Sequence, residues 1–240
     1  MSERFYSLSP ITTDHASLDG PEAHHLLHVM RAAVGERVTL FDNSGVEFTA
    51  VIAKLGRSNV ELSITERKVI DRELPFPLIV GVALPKGDRQ KWLVEKLTEL
   101  GVTTLVPLIT ERGVAQPTGG AIERLQRAVF EACKQCGRNR LMRIAEPQEW
   151  PRWIVEESAH QSCRLLAHPG GAPLAGAAKD AARGVQLAIG PEGGFTVAET
   201  AAATAAGWQS IDLGPRILRV ETAAIALVSS IAFAPDISRD

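Results

Sequence analysis

Two turns of one plan near the carboxyl end constrain the fold more than any other feature of this chain. Val185 to Ile189 is an apolar run of strand length, broken abruptly by Gly190, Pro191, Gly193 and Gly194. Thr196 with Glu199 three residues later fits a capping box, the alanine-rich Val197 to Ala206 continues as a helix, and Gly207 supplies its stop. The plan then recurs. Ser210 to Leu213 is a short strand, Gly214 and Pro215 turn the chain, and Glu221 to Phe233 carries Ala224, Leu227, Val228 and Ile231 at helical spacing. Strand, glycine turn and helix in succession are the repeating unit of a parallel sheet covered by helices. Turns of this composition also serve where backbone groups approach a ligand, ordinary strand-to-helix loops being the simpler alternative.

The same rhythm begins at residue 78. Leu78 to Leu84, Thr103 to Ile109 and Arg164 to His168 add strands separated mostly by helical segments. Before residue 70 the pattern is different: Arg4 to Leu8, Arg37 to Phe41, Val46 to Leu55 and Asn59 to Thr65 alternate or run apolar at strand length, and Asp42 to Gly45 is a hairpin signal. One helical insertion, Pro21 to Met30, interrupts these strands with Pro at a tolerated first-turn position. The charged stretch Glu66 to Arg72, followed by Pro75 and Pro77, reads as a connection. The expected division is a small, mostly β domain over residues 1–70 and an α/β domain over 71–240. Pro169 to Ala178 has the composition of a flexible surface loop. The strand end before it, Leu166 to His168, is alternatively placed to line a pocket, because ligands gather at the carboxyl ends of parallel strands.

Composition excludes several classes. With 240 residues, 45% of them hydrophobic, the chain can bury a real core. No charge-free apolar run reaches spanning length, and the opening Met1 to Tyr6 lacks a signal peptide's regions, so residence in the cytoplasm without a membrane partner is the expectation. Cys133, Cys136 and Cys163 are too few for a disulfide framework. Cys133 and Cys136 are spaced as a metal or redox pair, but no second pair accompanies them, and they fall in a helical pattern with Ile122, Leu125, Val129 and Phe130. His24 and His28, four apart, likewise lack further ligands, so no metal is expected.

Neither glycine turn matches a nucleotide motif. The dinucleotide fingerprint and the phosphate loop with its terminal Gly-Lys-Ser/Thr are both missing, which disfavours a ligand held mainly through phosphates. Gly190 to Gly194 together with Leu213 to Ala223 closely resembles the paired carboxyl-terminal motifs of the bacterial 16S ribosomal RNA uridine N3-methyltransferases. These belong to the SPOUT, or α/β-knot, class. Lys86 to Val102 and Glu131 to Arg138 look like that family's earlier catalytic-domain blocks, and His24 to Arg31 with Gly35 is similar to its small-domain signature. The resemblance implies an α/β fold: a carboxyl-terminal SPOUT-type parallel sheet with a trefoil knot, preceded by a small PUA-like, RNA-binding β-barrel. It further implies S-adenosylmethionine as cofactor, 16S ribosomal RNA as substrate and a homodimer.

Turn chemistry and the family motifs together nominate Leu166, His168, Ile189, Gly190, Pro191, Gly193, Gly194, Leu213, Gly214, Ile217, Leu218 and Thr222 as cofactor-binding residues. Uracil N3 carries a proton that must leave as the methyl group arrives, so a general base or a group stabilising the anion is needed. Glu192 and Glu221 are the carboxylates of the two motifs and Arg219 is the cation beside them. The matched blocks also nominate His25, Arg31, Lys86, Arg89, Lys134, Gln135 and Arg138 as RNA-binding residues. A formal net charge of -2 gives no global attraction to RNA, so local basic clusters must do the steering. Lys134, Arg138, Arg140 and Arg143 form one, Lys86, Arg89 and Lys91 another, and Arg31 and Arg37 a third. Low net charge suits a substrate presented by an assembled small subunit. A knotted methyltransferase acting on another base, a non-catalytic RNA-binding or assembly protein, and a different small-molecule enzyme on an open sheet are the competing classes. The last would need a nucleophile or metal constellation, and no G-x-S-x-G or H-E-x-x-H motif is present.

Overall fold

Strict alternation in Val46–Leu55, where Phe48, Ala50 and Ile52 are buried and their neighbours less so, makes this segment the spine of an amino-terminal sheet. A computed structural model describes residues 4–114, 119–155, 163–174 and 183–234. It divides the chain into two units, residues 1–73 with 130–141, and residues 74–129 with 142–240.

In the first unit, β1 (Arg4–Tyr6), β2 (His15–Asp19), β3 (Arg37–Phe41), β4 (Val46–Leu55) and β5 (Asn59–Val69) form a five-stranded sheet in the order β1-β3-β4-β5-β2. The β1–β3 pair is parallel and the others are antiparallel. The expected helical insertion is α1 (Gly20–His24), which runs on as a π-helical turn, His25–Met30, and stops at Arg31 in the left-handed region (φ 54°). Phe5, Leu18, Leu26, Leu40, Phe48, Ile52 and Leu62 fill the core.

Two expectations are corrected here. Glu66 to Val69 is not a connection but the end of β5, paired with Val46 to Thr49; its charges read as a linker because that end of the strand is solvated on both faces. His15–Asp19 is a strand that the sequence did not announce, since Leu18 is its single buried residue.

The second unit is built on a parallel sheet. Its elements are β6 (Leu78–Val82), α2 (Arg89–Glu99), β7 (Thr104–Ile109), α3 (Gly119–Cys136), β8 (Arg143–Ile144), β9 (Gln148–Glu149), α4 (Trp150–Trp153), β10 (Cys163–Pro173), β11 (Val185–Ile189), α5 (Val197–Ala205), β12 (Gln209–Asp212) and α6 (Val220–Ala232). The last turns of α3, from Phe130, belong to the first unit. Strand order is β12-β10-β11-β6-β7-β8, with β9 against β7, and every pair is parallel. All five residues of β11 are buried, as expected of a strand covered on both faces.

The segment expected to be a surface loop after His168 is partly strand. β10 continues to Pro173, and its pairing with β12 shifts register between Ala167 and Ala172, so residues 168–171 bulge out of the ladder. The rest of that segment, 175–178, lies outside the described residues. Trp150, Trp153, Trp208 and Phe195 pack beside Leu166 and Ala188, with the Trp150 and Phe195 ring centroids 4.3 Å apart. Among the described residues no helix is long and apolar enough to cross a membrane.

Candidate active site

The carboxyl ends of β10, β11 and β12 open into a cleft of ≈ 380 Å³. This is where open parallel sheets place ligands, beside the strand at which the order of connection reverses. Three chain segments make its walls. The first is the bulge within β10 and the residue before it, with Ala167, His168 and Pro169; the second is the loop Ile189 to Phe195; the third runs from Asp212 to Leu218 and closes on Val220 and Ala223 of α6.

Local chemistry shapes each wall. After β11, Gly194 takes φ +67°, a left-handed conformation that glycine adopts without a Cβ clash, and its N–H donates to the Pro191 carbonyl at 2.8 Å. At Gly190 the reason is space: a Cβ there would lie 2.9 Å from Cδ2 of Phe195. The turn delivers the chain into α5 through the expected capping box: the Glu199 N–H donates to Thr196 Oγ1 at 3.2 Å and the Thr196 N–H to Glu199 Oε2 at 2.8 Å. Glu199 also accepts the N–H of Glu111 at 2.9 Å, and Arg112 donates to the Gly193 carbonyl at 2.8 Å, so the segment after β7 supports this loop. On the opposite wall Asp212 accepts the Gly214 N–H at 2.7 Å on one oxygen and the Gly170 N–H at 2.9 Å on the other. His168 turns its Nδ1–H to the Pro169 carbonyl at 2.7 Å.

The structure brings His168, Ile189, Gly190, Pro191, Glu192, Gly193, Gly194, Leu213, Gly214, Ile217 and Leu218 together on this cleft. Leu166 is not on it: the strand's alternation turns Leu166 into the core and gives the wall to Ala167. Thr222 is exposed on the first turn of α6 and is also absent from the lining. Arg219 is the exposed residue preceding α6 and Glu221 is buried on its first turn, both outside the cleft lining.

Asp212 was missed, although an Asp two residues before a turn glycine is a recognised turn-forming signal. Arg112 had no comparable signal, because its partner Gly193 lies 81 residues away.

Arg89 joins the carboxylates of the two motifs. Its guanidinium lies 3.3 Å from Glu192 and 3.6 Å from Glu221, whose side chain is only 8% exposed. Glu221 Oε2 is buried with no hydrogen-bond partner among the described residues.

The other nominated RNA-binding residues separate into two groups. Lys86, Arg31 and Gln135 are exposed and His25 is half-buried. Lys134, by contrast, pairs with Glu22 at 3.0 Å and lies 5.5 Å from the Phe5 ring centroid, and Arg138 is buried against Glu73, with Nε donating at 3.0 Å. These two cations pair with carboxylates inside the first unit. Cys133 is buried in α3, and among the described residues no group of three or more His, Cys, Asp or Glu is arranged to hold a metal.

An apolar-walled cleft lined by backbone turns is what a small, flat, partly polar ligand requires, and ≈ 380 Å³ is within the usual size range of such sites. Comparison with known proteins identifies the family of the chain. Residues 72–232 match the family described as an RNA methyltransferase domain, and residues 18–65 match the RNA methyltransferase PUA domain. A ribosomal RNA small subunit methyltransferase E of Synechocystis is 32% identical over 90% of this chain and 72% of its own length. Among solved structures, a Legionella pneumophila methyltransferase in complex with the bound cofactor SAM superposes with a TM-score of 0.87, at 30% identity and covering 96% of this chain and 97% of that one. The ribosomal RNA small subunit methyltransferase E of Neisseria gonorrhoeae, bound to S-adenosylmethionine, also gives 0.87, at 29% identity with the same coverage. With its PUA domain and its RNA methyltransferase domain, the chain belongs to the family of the ribosomal RNA small subunit methyltransferases E.

Proposed function

We propose that this protein methylates N3 of one uridine in 16S ribosomal RNA, with S-adenosylmethionine as donor. The observation that carries the reading is the cleft at the ends of β10, β11 and β12, whose glycine turns and apolar walls suit an adenosine. The SAM-bound relatives, at nearly full coverage, support the same cofactor. In this reading the backbone of Gly190 to Gly194 and of Leu213 to Leu218 holds the cofactor's polar edges, and Ile189, Leu213, Ile217 and Leu218 flank its ring. When bound, S-adenosylmethionine supplies an electrophilic methyl group on a sulfonium.

The chain's own residues then have two tasks. One is alignment: in-line displacement needs nucleophile, methyl and sulfur nearly collinear, and positioning supplies much of the rate. The other concerns the N3 proton, which must leave as the N3–methyl bond forms and the methyl–sulfur bond breaks. Glu192 lines the cleft and is the carboxylate placed to accept that proton, a role worth about a hundred- to ten-thousandfold. Arg219, exposed next to the cleft wall, is placed to stabilise the uracil anion or a neighbouring phosphate. Exposed Lys86, Arg31 and Gln135, with His25, remain the RNA-facing candidates. The expected trefoil knot, a homodimer, residence in the cytoplasm and a substrate presented within the small subunit belong to the same reading.

Calorimetric titration with S-adenosylmethionine tests the cofactor assignment directly. Saturable one-site binding is expected, and absence of binding removes it. A non-catalytic RNA-binding role is distinguished in the same experiment, since such a protein would keep its RNA affinity without binding the donor.

A further inference from the structure

Arg89 stands at the first position of α2, 103 residues before Glu192, yet its Nη2 donates to the Glu192 carboxylate at 3.3 Å. Its other terminal nitrogen faces Glu221 Oε1 at 3.6 Å. The two carboxylates differ sharply in exposure: the side chain of Glu192 is 40% exposed at the mouth of the cleft, whereas that of Glu221 is 8% exposed at the start of α6. The Arg89 side chain itself is 39% exposed. A planar cation with donors on both sides can hold two carboxylates in fixed mutual geometry, which a lysine ammonium cannot do as well. The buried carboxylate is the fixed end of this arrangement, because α6 packs through Ala224, Leu227, Val228 and Ile231 into the core. The exposed carboxylate is the adjustable end, on a glycine loop.

We propose that Arg89 is a positioning residue for methyl transfer: anchored on the buried Glu221, it fixes Glu192 at the cleft and ties the 190–194 loop to the first turn of α6. This differs from the role the sequence suggests, a phosphate contact in a basic cluster with Lys86 and Lys91. The inference rests on the proposed function, in which Glu192 takes the N3 proton. The chemistry assigns Arg89 no bond to the reacting atoms. It orients the acceptor and adds one more restraint to a loop already held by the Arg112 contact to Gly193.

The two roles separate in a double-mutant cycle on the full-length protein, using small-subunit particles as substrate. If Arg89 acts through Glu192, Arg89→Ala lowers kcat at saturating RNA by about tenfold or more, as expected for a misplaced proton acceptor. Arg89→Lys recovers part of the loss. The same Arg89→Ala change costs less than about twofold in a Glu192→Gln background, because the residue it positions is no longer competent. If Arg89 instead contacts a phosphate, its loss raises KM for RNA, flattens the salt dependence of binding and multiplies with the Glu192→Gln loss; that outcome overturns the proposal.

Hydrogen exchange in the free protein provides an arm that needs no substrate. Loss of the tie accelerates exchange of the Gly194 amide, now hydrogen-bonded to Pro191, and unchanged exchange contradicts the brace. A wild-type protein that transfers no methyl group to RNA would refute the proposed function, while the exchange arm would still decide whether Arg89 holds the loop.

Discussion

The Asp212 carboxylate accepts the backbone N–H of Gly170 at 2.9 Å, tying the end of β12 to the bulge of β10 across one wall of the cleft. Its second oxygen holds Gly214 at 2.7 Å, so one side chain sets two of the three segments that shape the site. Asp212→Ala should weaken S-adenosylmethionine binding by about ten- to a hundredfold, one charge-assisted hydrogen bond to backbone being worth roughly 1.5–3 kcal/mol. Asp212→Asn, which keeps one acceptor oxygen, should fall between the two. Calorimetry on the three proteins checks the order; equal affinity in all three would show that the walls do not depend on this carboxylate.

Gly171 allows the bulged β10 to approach β12 closely. A Cβ at this position would lie 2.6 Å from the Ile211 nitrogen and 2.7 Å from the Ser210 carbonyl oxygen, both backbone atoms that cannot turn aside as a side chain does. Gly171→Ala should therefore cost about 1–3 kcal/mol and reduce cofactor affinity together with stability. Thermal unfolding with and without S-adenosylmethionine measures both effects.

The capping box at the start of α5 offers a graded test. Thr196→Ala removes one reciprocal hydrogen bond and should cost about 1 kcal/mol. Glu199→Ala removes both its bond to Thr196 and its acceptance of the Glu111 N–H, so its loss should exceed that of Thr196→Ala. Comparison of denaturant midpoints decides this, and the reverse order would show that the Glu111 contact contributes nothing.

Arg138 gives the sharpest separation between an RNA role and a structural one. Its side chain is 4% exposed and bonded to Glu73, so Arg138→Ala leaves a largely buried carboxylate without its cation and should destabilise by on the order of 3 kcal/mol. A surface phosphate contact predicts instead unchanged stability and a shallower salt dependence of RNA binding. Measuring both on one variant distinguishes them.

Much of this arrangement is legible in the residues, and the physical reasons for the remainder are specific. Val185 to Ile189 could be bounded because a run that is apolar except at Gln186 ends at Gly190 and Pro191, and the start of α5 because Thr196 and Glu199 carry their own local bonds. Local chemistry of this kind is written in neighbouring positions. The phase of β10 was harder. Its bulge hides which side chains alternate inward, so Leu166 was nominated for a wall that Ala167 lines. Glu66 to Val69 was misread because a solvated strand end and a charged linker have the same composition. The basic residues were least legible. Charge shows in sequence, but whether a cation meets solvent or a carboxylate depends on partners as distant as Glu192 is from Arg89 or Glu73 from Arg138.

The central claim concerns one atom of one base, and it is tested most directly by incubating the purified protein with methyl-labelled S-adenosylmethionine and small ribosomal subunits that lack the modification. Nucleoside and fragment mass analysis of the 16S ribosomal RNA then locates the label. A single labelled 3-methyluridine is expected, formed about a hundredfold or more slowly by Glu192→Gln at saturating cofactor. Label on a ribose, on another base, or at no position in the RNA would contradict it.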